Sequence, residues 1–120
     1  MVINSYRDLV VWQKSMELVT NVYAITKEFP KEELYSITSQ IRRSAVSVPS
    51  NIAEGYGRNS TQDYVRFLQI ACGSLYELQT QLEIAVNLNY LTCALYDEVF
   101  HKINEIERML NSLIRKLTNK

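Results

Sequence analysis

Two stretches of the chain place an apolar residue alternately four and three positions apart. One runs Tyr64, Leu68, Ala71, Leu75, Leu78, Leu82, Ala85; the other runs Val99, Ile103, Ile106, Leu110, Leu113, Leu117. This is the heptad period of helices packed side by side with a slight supercoil. A half-buried strand would instead alternate every second residue. Each stretch is therefore a long helix with one apolar seam, and neither seam can be buried without partner helices. The chain has three Gly and two Pro in 120 residues, too little turn chemistry for a many-stranded sandwich or barrel. At this length folding removes roughly two-thirds of the extended chain's surface from water, so one core needs no disulfide or metal to hold it. An all-α domain spanning residues 1–120 is expected.

Two more helices precede these. In the first, Leu9, Trp12, Met16, Val19 and Tyr23 recur at spacings of three and four, and Val11, Leu18, Val22 and Ile25 form a second set beside them. Together they cover an arc of about 200°, where a core-facing helix needs roughly half that. The surplus stripe must meet a second helix of the same bundle or another subunit. Phe29-Pro30 closes this helix, because the residue before proline is pushed out of helical geometry. Residues 31–35 form a connection with at most one helical turn, and Ser36 is the expected N-cap of the next helix. Its seam is Ile37, Ile41, Ala45, Val48, Ile52 and Gly55. Pro49 lies within this seam and lacks the N–H that would reach Ala45, so one helix kinked at Pro49 is expected. Gly55 and Gly57 offer a left-handed stop.

Ser60 with Asp63 three residues on reads as the cap of the third helix. Gly73 sits inside that helix at a cost of about 1 kcal/mol relative to alanine; close approach of another backbone is the expected reason. Asn89-Tyr90-Leu91 is a turn and Thr92 the cap of the fourth helix. Arg115, Lys116 and Lys120 sit at that helix's C-terminal end, where positive charge complements the dipole. Short connections make successive helices antiparallel, so the expected architecture is an up-down-up-down four-helix bundle.

Several chemistries lack their residues. His101 is the sole histidine, too few for the paired sites of metal-binding bundles. Its expected role is an exposed charge cluster with Asp97, Lys102 and Glu105. Gly55-Tyr56-Gly57 lacks the strand and lysine of a phosphate loop. Cys72 and Cys93 have no CxxC spacing and read as reduced core packing, although a disulfide between them stays open. No stretch reads as a membrane span. The opening MVINSYRDLVVWQK has no basic region followed by an apolar one, which fits a cytoplasmic setting. No catalytic set, cofactor site or small-molecule substrate is evident.

The most unusual stretch is Gln40 to Arg58. Gln40, Arg43, Ser47, Asn51, Glu54 and Arg58 fall on one polar line about 100° from the apolar seam. Such a line runs along the edge of a bundle core. Two readings stay open. It is a network of inter-helix hydrogen bonds, the commoner use of such a line, or it is a groove for an anionic ligand with Arg43 and Arg58 on phosphate. Thirteen basic residues balance thirteen acidic ones overall, so no global field points to nucleic acid. Locally, however, Arg42, Arg43, Arg58 and Arg66 outnumber Glu54 and Asp63. Eight tyrosines and Trp12 raise base stacking as a further use. Tyr23 and Tyr64 fall on apolar seams and read as core. Tyr6, Tyr35, Tyr56 and Tyr90 lie near helix ends and read as closing the bundle.

Several motifs together resemble a known family. They are Tyr6-Arg7-Asp8-Leu9 with Val11-Trp12-Gln13, Phe29-Pro30 with Glu33, and Thr38-Ser39-Gln40-Ile41-Arg42-Arg43-Ser44-Ala45. Val48-Pro49-Ser50-Asn51-Ile52-Ala53-Glu54-Gly55, Phe67-Leu68, Ile70-Ala71-Cys72-Gly73-Ser74-Leu75 and Glu77-Leu78 complete the set. Nearly the whole chain resembles the four-helix-bundle family named for the 23S rRNA intervening sequence protein, also labelled S23 ribosomal protein. Ser36, Ser44 and Cys72 depart slightly from its pattern. The resemblance implies a bacterial, cytoplasmic homopentamer. A related branch, the accessory variability proteins of diversity-generating retroelements, forms basic pentamers that bind nucleic acid and reverse transcriptase; this chain's zero net charge departs from that branch.

Residues and resemblance together lead to a non-enzymatic homo-oligomeric scaffold that engages structured RNA or an RNA-handling protein. Arg42, Arg43, Arg58 and Arg66 are the expected phosphate contacts, with Gln40 and Asn51 orienting them. The rival is a protein-interaction module with no nucleic-acid contact, in which the polar line holds subunits together. An enzyme would need a pocket of convergent titratable groups.

Overall fold

The computed structural model describes residues 2–119. Four helices carry the chain: α1 Val10–Thr26, α2 Ile37–Tyr56, α3 Thr61–Asn87 and α4 Cys93–Thr118. Short 3-10 turns at Tyr6–Asp8 and Lys31–Glu33 precede α1 and α2. α1 packs on α2, α2 on α3, α3 on α4, and α4 closes back on α1. The short connections make neighbours antiparallel, giving the expected four-helix bundle, 47 Å long and 24 × 21 Å across. No helix among the described residues is long and apolar enough to cross a membrane.

The seams of the two long helices point inward as their period requires. Leu68, Ala71, Leu75, Leu78, Leu82 and Ala85 of α3 are fully buried, as are Val99, Ile103, Ile106 and Leu110 of α4 to within 2%. Leu113 and Leu117 pack on the same core but are only half-buried near the end of α4. Lys120 lies outside the described residues; Arg115 and Lys116 do occupy the last turn of α4.

Helix boundaries follow local chemistry only in part; α1 has Leu9 at its N-cap without a side-chain bond and ends at Thr26, three residues before the Phe29 expected to close it. The Ser60 side chain accepts from Asp63 N at 3.1 Å, and Thr92 Oγ1 accepts from Leu95 N at 3.2 Å. Each satisfies a first-turn donor that the helix leaves free. Ser36 stands at the N-cap of α2 but makes no capping bond; its hydroxyl donates to Glu33 instead. The expected left-handed glycine stop is also absent. Gly57 caps α2 at φ −80°, and the left-handed residue is Asn89, at φ 63° after α3, where asparagine tolerates that region best among side-chain-bearing residues. α2 runs continuously through the buried Pro49.

The stripe of α1 that turns inward is the second set. Val11, Leu18 and Val22 are buried, together with Ser15 and Thr26 on the same stripe. Both hydroxyls turn back on the helix, Ser15 Oγ donating to Val11 O at 2.7 Å and Thr26 Oγ1 to Val22 O at 2.8 Å. The Leu9–Tyr23 set is left at the margin, with Met16 44% and Tyr23 42% exposed. The bundle therefore buries one of α1's two stripes fully and the other only in part: Leu9, Trp12 and Val19 pack against the edge of the core, while Met16 and Tyr23 face outward.

The close approach expected at Gly73 is found at another glycine. The close approach is at Gly55, where an added Cβ would lie 2.7 Å from Phe67 Cβ. At Gly73 an added Cβ would meet nothing within 4 Å. Gly73→Ala is therefore expected to stabilise the folded chain by about 1 kcal/mol through helix propensity alone, read as a rise in urea midpoint at constant slope.

The cysteines are both free, Cys72 half-buried and Cys93 exposed at the start of α4. Cys93 thus lies outside the core. Burial pushes the Cys72 thiol up from its ordinary value, Glu107 adding to the effect.

Candidate functional site

The polar line of α2, taken with the adjacent Arg42 and Ser44 and with Arg66 of α3, divides into three parts with different neighbours. Its middle is a hydrogen-bonded seam against α3. Ser44 Oγ donates to Gln81 Oε1 at 2.9 Å, and the Ser47 and Ser74 hydroxyls lie 2.9 Å apart. Asn51 Nδ2 donates to both Ser47 O and Ser47 Oγ, at 2.8 and 2.9 Å. Ser44, Ser74 and Gln81 are buried, so these bonds satisfy groups that would otherwise be costly to remove from water. This part holds two helices of one chain together. Asn51, expected to orient a ligand, is tied to its own helix. Gln81 was not singled out in the sequence, and Ser74 only within a family motif; the signal was available, since they stand seven residues apart on the inward side of α3.

The C-terminal part is neutralised. Arg58 pairs with Glu54 at 2.6 Å, and Arg66 with Asp63 at 3.8 Å. Both guanidinium groups also lie over the Phe67 ring, at 4.7 and 5.3 Å from its centroid. These two cations are engaged by carboxylates and an aromatic face at the α2–α3 connection.

The N-terminal part is different. Arg42 and Arg43 have no carboxylate within ion-pair distance among the described residues. Arg42 Nε donates to Thr26 Oγ1 at 2.9 Å, and its guanidinium lies 4.6 Å from the Tyr23 ring centroid. One nitrogen is thereby fixed while the rest of the planar fork remains available, and the ring contact is worth about 0.5–1 kcal/mol at an exposed site. Arg43 is exposed. Both line a cleft of about 600 Å³ with Tyr23, Leu34, Tyr35, Ser39, Val46 and Ser47. No carboxylate among the described residues lines it. Arg43 also borders a smaller cleft of about 230 Å³ that contains Gln40, Glu77 and Gln81. Gln40 therefore faces the second cleft beside Arg43. At 1.5 Å per residue, the Arg42–Arg43 part lies roughly 20 Å along α2 from the Arg58 part. The four arginines form two separate groups.

A braced loop forms one wall of the large cleft. Phe29 packs on Tyr90 with ring centroids 5.8 Å apart. Tyr90 Oη donates to Glu33 Oε2 at 2.7 Å, and Ser36 donates to the other carboxylate oxygen. These bonds, Ser36 first and Tyr90 second, hold the Glu33 carboxyl below its ordinary value. The brace is therefore present above the ordinary carboxylate range and is lost only as pH falls through the lowered value. The same bond pushes the Tyr90 phenol up. Tyr90 closes the bundle as expected, but Tyr35 does not: it is 93% exposed. Tyr23, expected in the core, stands outside it as the platform for Arg42.

Other surfaces fit an anion less well. A cleft of about 450 Å³ between the start of α1 and α4 has Arg108 and Lys116, but Glu105 lines it too. Glu105 pairs with Lys14 of α1 at 3.6 Å, so the expected charge cluster around His101 does not form; His101 instead lies edge-on to Phe100. Among the described residues no group of three His, Cys, Asp or Glu could hold a metal ion. A further cleft of about 380 Å³ lies along the outward stripe of α1 and is mainly apolar, with Trp12, Met16, Val19, Val46, Pro49 and Ala53 in its walls.

Comparison with known proteins agrees with this architecture. A crystal structure of a protein of unknown function from the S23 ribosomal protein family of Bacteroides thetaiotaomicron matches with a TM-score of 0.78 and 27% identity, covering 88% of this chain and 98% of that one. No curated protein matches the chain. The family model described as 23S rRNA-intervening sequence protein matches residues 7–112, from the 3-10 turn before α1 to the last third of α4. The chain belongs to the 23S rRNA-intervening sequence protein family.

Proposed function

We propose that the protein is a non-enzymatic, homo-oligomeric scaffold that holds RNA in the Arg42–Arg43 cleft. The observation that carries this reading is the pair of arginines in one cleft without carboxylate partners among the described residues, when Arg58 and Arg66 are both paired. A guanidinium fork already fixed at one nitrogen is suited to phosphate oxygens. The cleft walls contribute tyrosine, serine and apolar groups, with no acid–base pair to drive a reaction. Self-association is supported by the strip formed by Met16 and Tyr23 of α1 with Val46 of the neighbouring α2, each about 40% exposed or more. A second copy seated along this strip would bury it, and five copies is the number the family resemblance implies. Val46 lines both the apolar cleft and the arginine cleft, so the RNA would lie at the rim of the subunit contact and symmetry would repeat the site around the ring. The setting that fits is the cytoplasm.

The rival, a module that binds only protein, draws on the zero net charge. Fluorescence anisotropy separates the two, using an rRNA hairpin, single-stranded RNA and duplex DNA at low and physiological salt. The scaffold reading expects micromolar or tighter RNA binding that weakens steeply with salt. Absence of binding by folded protein would leave the arginines to a protein partner.

A further inference from the structure

We propose that the arginine cleft takes an unpaired nucleotide of RNA, its base stacked on Tyr35 and its phosphate on Arg42 and Arg43. This inference rests on the RNA-binding reading and narrows it from structured RNA in general to a loop, bulge or single-stranded segment.

Three observations carry it. Tyr35 is 93% exposed, far more than a ring normally tolerates when neighbouring apolar surface is within reach, since burying an aromatic side chain is among the larger gains in folding. Its position is not that of a loose tail. The turn before it is held by Glu33, which accepts hydrogen bonds from Tyr90 and Ser36, and by Phe29 against Tyr90. The brace orders the turn that carries the ring, so a stacking base has only the side chain left to order, which lowers the cost of binding. Finally, Tyr35 lines the same cleft as Arg42 and Arg43. Its volume of about 600 Å³ falls within the roughly 300–1,000 Å³ range of small-ligand sites.

An unpaired nucleotide offers the two partners these walls can take, a flat base for the Tyr35 ring and an anion for Arg42 and Arg43. A paired duplex does not, because its bases are already stacked and hidden in the helix. Ser39 and Ser47, also in the walls, can donate to or accept from base edges or the 2′-hydroxyl.

The experiment compares wild type, Tyr35→Ala and Tyr35→Phe by anisotropy on a hairpin with an unpaired loop and on a fully paired RNA duplex of the same length. Thermal melts confirm folding, which an exposed side chain should not disturb. The expected result is tighter binding to the looped RNA, a loss of about tenfold in Tyr35→Ala, and near-wild-type affinity in Tyr35→Phe. The slope of affinity against salt should not change in either variant, because no phosphate contact is removed. Equal affinity for loop and duplex, or an unchanged Tyr35→Ala, would overturn the stacking inference. If Arg42→Ala, Arg43→Ala still abolished binding in that case, the RNA-binding reading would stand without it. No binding of either RNA by wild type would overturn both.

Discussion

Gly55→Val should lower the stability of the protein by about 3 kcal/mol, enough to unfold a marginal domain. An added Cβ at this position would sit 2.7 Å from Phe67 Cβ and 3.2 Å from both Tyr64 O and Tyr64 Cδ1. Two of these atoms are backbone or directly attached to it, so no rotamer change relieves the contact; α2 and α3 must separate. Alanine would ordinarily gain about 1 kcal/mol over glycine in a helix. That gain is small here because Gly55 lies next to the last residue of α2. The overpacking term, about 1–3 kcal/mol for a single inserted group, wins, and valine adds two methyl groups to the clash. Urea denaturation measures the effect. The informative control is Gly73→Ala, a change at an open site that should move stability the other way. Similar responses at the two positions would contradict the packing assigned to α2 against α3.

The second large effect concerns the arginines. Arg42→Ala, Arg43→Ala should weaken RNA binding by roughly a hundredfold, since a hydrogen bond to a charged group contributes about 1.5–3 kcal/mol. The slope of log affinity against log salt should fall by about 1.4 if two phosphates are lost from a single strand. Arg58→Ala should change both quantities little, because its charge is already matched by Glu54 at 2.6 Å. The sequence alone placed these residues on one footing; neighbours separate them. Equal losses from the two variants would mean that the paired cations open to the ligand, and the cleft would no longer be the site. Each variant's melt shows whether the loss is one of binding or of folding.

The fold was readable where one periodicity had one solution. On α3 and α4 the apolar seam is narrow, and the chain can bury it in only one orientation; Leu75, Leu78, Leu82 and Ile106 are buried as their spacing requires. α1 was ambiguous because both of its stripes are apolar. Which of them faces the core depends on where α2 and α4 sit, and that is decided by packing, not by α1's own sequence. Glycines illustrate the same limit. Gly55 and Gly73 both lie inside helices, yet only a facing residue, Phe67, distinguishes them.

The candidate site was legible in kind and not in grouping. Glu54–Arg58 is a contact one helical turn apart and follows from the sequence. The bond from Arg42 to Thr26 spans sixteen positions and the α1–α2 connection; no local rule anticipates it. Tyr23 and Tyr35 are both more exposed than their sequence positions suggest, for the same reason. Tyr23 lies on the outward stripe of α1, and Tyr35 lies beyond a turn whose brace comes from Tyr90, more than fifty residues away.

The central claim is that RNA occupies the cleft formed by Arg42, Arg43 and Tyr35. Photocrosslinking of a looped rRNA hairpin carrying 4-thiouridine, followed by mass spectrometry of the adducts, tests it most directly. The account predicts adducts within residues 23–47, concentrated at Tyr35 and Tyr23, that disappear when Arg42 and Arg43 are replaced. Adducts concentrated on α4 around Arg108 and Lys116, or binding that yields no adduct in the cleft, would contradict it.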